Sequence, residues 1–156
     1  MSIESLLEDS IIADFMRDPL LQTQTIRKHD YGGSIGGEDP PLNPEVFSVI
    51  IVSATDRGEF KMGSGIRNVS VEVRIRVNGE ADNFNDGTLL DNLTDVVRFR
   101  LMPSPTVAGA ISGREGAFST PHLRIYGITQ GEITQRTDQR LERIRTVPAT
   151  FIAAQC

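Results

Sequence analysis

Apolar and polar residues alternate without a break from Val69 to Val77. Val69, Val71, Val73, Ile75 and Val77 share one face, and Ser70, Glu72, Arg74 and Arg76 the other. A period of two predicts a strand with one face on a core, and β-branched residues suit a pleated surface. Asn78 to Gly87 reads as an acidic turn. Thr88-Leu89-Leu90-Asp91 then resembles a capping box, with Asp91 at the position usually held by Glu or Gln. Leu90, Leu93, Val97 and Leu101 recur at helical spacing, widened by Leu89 and Val96, with Asp91, Asp95 and Arg98 on the other side. The spacing predicts a helix over Thr88–Leu101 that stops before Pro103.

The same reading extends to both sides. Ile3, Leu6, Leu7, Ile11 and Phe15 predict a helix over Ser2–Arg17, with Ser2 as N-cap and Asp18-Pro19 as its stop. Its polar residues are acidic, so it reads as a helix packed on a sheet and not as a membrane-surface helix. Leu20–Lys28 permits a short strand. His29 to Pro44 holds four Gly and three Pro, which excludes regular structure. It lacks the Gly-Lys-Ser/Thr of a phosphate loop. Val46–Ser53 is continuously apolar and predicts a strand buried on both faces. Residues 29–45 and 54–67 read as extended loops or arms, and the two strands around the second pair as an antiparallel hairpin.

Pro103–Pro121 is rich in small residues, with one short turn at Val107, Ala108 and Ile111. The last third reads as a meander. Its strands are Leu123–Ile128, Glu132–Arg136 and Arg140–Ala153, with turns at Gln130-Gly131 and Thr137–Gln139. Pro148 implies that the last of these is an edge strand or is bulged. The expected class is α+β: one domain over 1–156, an antiparallel sheet with two helices on one face.

Composition narrows the function classes. A chain of 156 residues buries roughly 70 % of its unfolded surface, enough for one core. The net charge of −5 argues against a basic nucleic-acid groove. That charge is unevenly spread. From Arg98 onward, eight Arg face only Glu115, Glu132, Asp138 and Glu142, while the acids concentrate before that point. Such asymmetry fits charge scattered over a solvated surface; read more sharply, it suits head-to-tail association, which closes into a ring when the rotation permits. The lone Cys156 forms no disulfide framework and fits a reducing compartment. No secretory signal or membrane-length apolar run is expected.

Candidate chemistry is sparse. His29 and His122 have no metal-spaced partners, and Cys156 has no nearby His. Glu80, Asp82 and Asp86 form a carboxylate cluster that does not fit a Ca²⁺ loop. Arg140, Arg143 and Arg145 surround Glu142 without interleaved aromatics, which suits a charged face or protein interface better than phosphate binding. No cofactor, metal or enzymatic activity is expected.

The order of these elements resembles the tail terminator (tail completion) proteins of long-tailed bacteriophages. The strand Val69–Val77, the acidic turn and Leu89-Leu-Asp-Asn-Leu-Thr-Asp-Val-Val97 are similar to that family's central strand, Asp-rich turn and helix. The closing strand from Arg140 to Phe151 and the N-terminal helix also fit, so the resemblance covers Ser2 to Ala153. It implies a structural virion protein of the tail or neck, assembled in the host cytoplasm. Its subunits would form a hexameric ring on the last ring of tail tube protein, stop tube growth and offer a docking surface to the head–tail connector. DNA would pass through an acidic channel without specific binding, and no membrane is involved. On this reading Glu80, Asp82, Asp86, Arg140, Arg143, Arg145, Tyr31 and Ile35 are interface residues. Another neck or head-completion connector protein is the alternative, and a small α+β ligand-binding domain or enzyme is the reading from a different class.

Overall fold

The computed structural model describes residues 2–28, 48–78, 88–101, 106–107, 110–111, 117–137 and 142–156. Its elements are helix α1 (Ile3–Phe15), a 3₁₀ turn (Leu21–Thr23), β1 (Thr25–Lys28), β2 (Ser48–Glu59), β3 (Arg67–Asn78), helix α2 (Thr88–Arg100), β4 (Thr106–Val107), β5 (Ala110–Ile111), β6 (Leu123–Gln130), β7 (Thr134–Thr137) and β8 (Glu142–Gln155). The class is α+β, with a six-stranded sheet in the order β1-β2-β3-β8-β6, β7 also on β8. The sheet is mixed, since β1 runs parallel to β2, where an all-antiparallel sheet was expected.

Helix α1 starts as its sequence requires: the Ser2 hydroxyl accepts the Ser5 N–H at 3.1 Å. Ile3, Leu7, Ile11 and Phe15 enter the core. The expected strand at Leu20 starts later, because the Asp18 carboxylate accepts the N–H groups of Leu20 and Leu21 at 2.9 and 3.2 Å. That cap winds Leu21–Thr23 into a 3₁₀ turn and buries Leu21. The polar residues that α1 buries are bonded outward. Glu8 accepts the Ala54 N–H of β2 at 3.0 Å, Ser10 donates to the Phe118 carbonyl, and Asp14 meets Arg100 of α2. These links fix the helix against three other parts of the fold, as buried polar groups require.

One sheet face carries the core. Ile50, Val52 and Ala54 of β2, Val69 to Val77 of β3, and Val147, Ala149, Phe151 and Ala153 of β8 join Leu90, Leu93, Val97 and Leu101 and the α1 stripe. Both helices therefore lie on one face, and every inward residue of the Val69–Val77 pattern is buried. Ser48 to Val52 are buried on both faces, as a continuous apolar run predicts. Val46 and Phe47 lie outside the described residues.

Of the segment 54–67, only 60–66 is a turn. β2 continues to Glu59 and pairs with β3 down to Arg67, through a bulge between Asp56 and Gly58. Gly58 has φ 121°, which only glycine adopts without strain. The polar residues of this stretch hid a strand whose outer half is solvated.

The C-terminal third differs from a meander. β6 and β7 do not pair with each other; both pair with β8, end to end along one side of it. In place of the expected turn at Gln130-Gly131, Gln130 still pairs with Ala149 and residues 131–133 form the gap between β6 and β7. β8 is central, with β3 on its other side, so Pro148 is neither at an edge nor an interruption of its strand. The Pro148 carbonyl accepts the Gly131 N–H at 3.0 Å, so its backbone faces the junction of β6 and β7. A strand residue points its N and its C=O to the same side. The missing N–H thus falls where one partner gives way to the next, and no ladder bond is lost. A side chain at Gly131 would bring a Cβ within 2.9 Å of Pro148 Cγ, which explains a glycine there. Thr106–Val107 and Ala110–Ile111 form a short antiparallel pair; Ala108, in the expected turn, lies outside the described residues.

Candidate interaction surface

Of the residues picked from the sequence, Arg143 and Arg145 are described; Tyr31, Ile35, Glu80, Asp82, Asp86 and Arg140 lie outside the described residues. Arg143 and Arg145 stand on β8 opposite Val77 and Ile75, and so on the helix-covered face. Arg145 donates to Asp91 at 2.8 Å and Thr94 at 3.2 Å on α2, and to Gln135 of β7 at 2.6 and 3.2 Å. Its side chain is 18 % exposed. It thus ties α2 to the sheet within one subunit. Asp91, expected to complement the helix N-terminus, also anchors this arginine.

Sequence reasoning missed the end of the β2–β3 hairpin. Phe60 to Ile66 close it, and the turn is held from within. Phe60 N–H donates to the Ile66 carbonyl at 2.7 Å, and Ser64 N–H to the Lys61 carbonyl at 3.0 Å. The Ser64 hydroxyl donates to the same carbonyl at 2.6 Å and accepts the Ile66 N–H at 3.2 Å. Gly63 and Gly65 take φ of 75° and 71°. The Glu59 carboxylate accepts the Gly63 N–H at 2.8 Å.

Below the turn, Arg67 contacts Asp56 through Nε at 3.1 and 3.0 Å and through Nη2 at 3.0 Å, and reaches Glu59 at 3.9 Å. This ordered turn displays Phe60, 54 % exposed, and Met62, 95 % exposed. Ordered backbone under exposed apolar side chains lowers the entropy cost of binding. The available signal was a Phe-x-Met pair beside the Gly63-Ser64-Gly65 turn residues.

Other large apolar side chains are also exposed. Tyr126 sits in the bulge of β6 with the Arg124 guanidinium 5.3 Å from its ring centre. Phe99 on α2 and Met16 after α1 are open to solvent.

Asp56 links this turn to pH. Partial burial works to raise its pKa; the Arg67 hydrogen bonds and charge and the Gly58 N–H outweigh that and leave it lowered. A lowered folded-state pKa gives stability that is present above the unfolded value of ~3.9 and lost as pH falls through the folded value. Asp56→Asn should therefore flatten the fall in melting temperature between about pH 5 and pH 3. Thermal unfolding across that range checks it, and an unchanged profile would remove Asp56 from the account.

Among the described residues no group of three or more His, Cys, Asp or Glu could hold a metal ion. Cys156 is exposed, and its N–H donates to the His122 carbonyl at 3.0 Å. No described helix is long and apolar enough to cross a membrane. Comparison with protein-family models and with curated proteins finds no match for this chain.

Proposed function

We propose that this chain is a structural virion protein, a tail terminator whose subunits assemble into a hexameric ring. The ring caps the tail tube, halts its polymerisation and presents the docking surface for the head–tail connector. The observation that carries the reading is the internally braced hairpin turn with Phe60 and Met62 outside it. Large apolar side chains exposed on an ordered turn suit a protein–protein contact. The order of elements, the resemblance of the Val69–Val97 unit and the split between an acidic first part and a basic second part support it.

Tail assembly without this protein should give tails of abnormal length that do not join heads. Normal tails joined to heads would refute the assignment. Abnormal joining with normal tail length favours the neck-connector reading instead. Native mass spectrometry of the purified chain, alone and with tail tube protein, should show a ring; a strict monomer under both conditions counts against it.

A further inference from the structure

We propose that β1 of one copy pairs with β7 of the next, so that the sheet runs on from subunit to subunit; the inference rests on the ring reading. The two strands are the outer edges of one five-strand row. Ile26, Ile50, Ile75, Arg145 and Gln135 stand in register across β1, β2, β3, β8 and β7, and Arg27, Ile51, Arg74, Thr146 and Thr134 form the row beside it. Both edge strands are four residues long. β1 runs parallel to β2 and each later pair is antiparallel, so β7 runs opposite to β1. Copies set side by side in one orientation therefore bring β1 against β7 as an antiparallel pair at the same level.

The backbone directions agree with this. The Ala54 N–H points away from β3, to Glu8, so by alternation Ile50 turns its backbone toward β1. In a parallel ladder Ile50 then bonds Thr25 and Arg27, and Ile26 between them faces out. On the far side, the backbone of Pro148 faces the β6–β7 junction, so Thr146 and Ile144 bond β7 and Gln135 faces out. Ile26 and Gln135 thus share a row and both turn N–H and C=O outward. They become a hydrogen-bonded pair when the row continues into the next copy.

Other edges of the sheet are closed. Leu123 of β6 exchanges bonds with Thr120 at 3.2 and 2.8 Å, and Ile125 N–H donates to the Ser119 hydroxyl at 3.1 Å. Beyond the end of β1, Glu8 takes the Ala54 N–H and a bulge breaks the line of β2. Among the described residues nothing bonds the outward backbone groups of Ile26 or Gln135, and an open edge is a template for another strand. In one subunit the two edges are four ladders, about 19 Å, apart and cannot meet. They match in length, level, direction and bonding parity, which singles out a second copy of this chain as the occupant. Two different edges make a heterologous contact, which repeats from copy to copy and closes into a ring when the rotation permits.

The test uses the full chain with Cys156→Ser. In the continued rows Arg27 and Thr134, both exposed, form a non-hydrogen-bonded pair with Cα atoms about 4.5 Å apart, within disulfide reach. Arg27→Cys mixed with Thr134→Cys should give a disulfide-linked dimer under mild oxidation, and neither alone should. Gln135→Pro removes an outward N–H and no ladder bond within the subunit, and should weaken association about tenfold or more. Gln135→Ala loses the same side-chain bonds to Arg145 but keeps the N–H, and should assemble as the wild type does.

Assembly that Gln135→Pro does not alter, with no cross-link, places the contact elsewhere and leaves the ring reading standing. Equal loss in the proline and alanine variants makes Gln135 a strut for Arg145 and overturns the pairing. A cross-link in Arg27→Cys alone shows β1 meeting β1 in a closed dimer and overturns it too. A wild type that stays monomeric, alone and with tail tube protein, overturns both readings.

Discussion

Replacing Phe151 with alanine should lower the unfolding free energy by about 4 kcal/mol, the usual cost of removing a buried ring. Phe151 is fully buried on β8, opposite Val69 on one side and Ile128 on the other. Its ring meets Phe118 edge-on, with centroids 5.4 Å apart and planes at 77°. Such a pair adds about 1 kcal/mol beyond area burial. Phe118 also accepts the Ser10 hydroxyl through its carbonyl, so the cavity would open where β8, α1 and the 117–118 segment meet. Of a typical 5–15 kcal/mol total, a loss of about 4 is large. Urea unfolding should show a lower midpoint at an unchanged slope. Phe151→Leu, which keeps most of the volume, should cost about 1 kcal/mol. A loss below about 1 kcal/mol for the alanine variant would mean that this junction relaxes and is not a fixed part of the core.

The second large effect concerns charge. Arg100 closes α2 and reaches Asp14 at 3.3 Å and Asp18 at 3.4 Å, both at the end of α1. The Asp14 side chain is 1 % exposed and that of Arg100 17 %. Arg100→Met should destabilise by about 3 kcal/mol, because Asp14 stays buried and loses this guanidinium. The favourable place of Arg100 in the last turn of α2 adds a smaller loss. Changing both partners tells more than changing one. Asp14→Leu with Arg100→Met removes the buried charge together with its partner, and should recover most of the loss. If the double variant is as unstable as the sum of the singles, the pair is not coupled and the link between the helices lies elsewhere.

The parts of this fold that sequence reasoning found share a cause. The Val69–Val77 strand and the Leu90–Leu101 stripe repeat one physical demand, burial of one face, often enough to show above noise. The parts it missed depend on pairing partners. The outer half of β2, Asp56 to Glu59, is polar because it is solvated, so nothing in its pattern separates it from a loop. Pro148 argues for an edge only if every strand backbone needs a donor on both sides; the gap between β6 and β7 removes that need. Tyr126 shifts the phase of β6, so that Leu123, Ile125 and Ile128 all face the core without regular alternation. Arg145 was legible as a functional cation and not as a strut, since its partners lie on α2 and β7, far away in sequence. Phe60 and Met62 belong to no periodic pattern; their exposure on a braced turn follows from the backbone bonds of 60–66.

The central place of β8 bears on how the chain reaches this state. It follows every other strand in sequence, yet β3, β6 and β7 all pair with it. While the chain emerges from the ribosome, β2 and β3 can form a hairpin locally. The face that buries Phe151 and Val147 stays open until β8 arrives. Joining β8 to β3 closes a long loop, which slows folding. During that interval β3 offers a free edge of valines, the kind of edge that pairs with other chains. Until β8 pairs, the nascent subunit thus carries an open strand edge of the kind that aggregates.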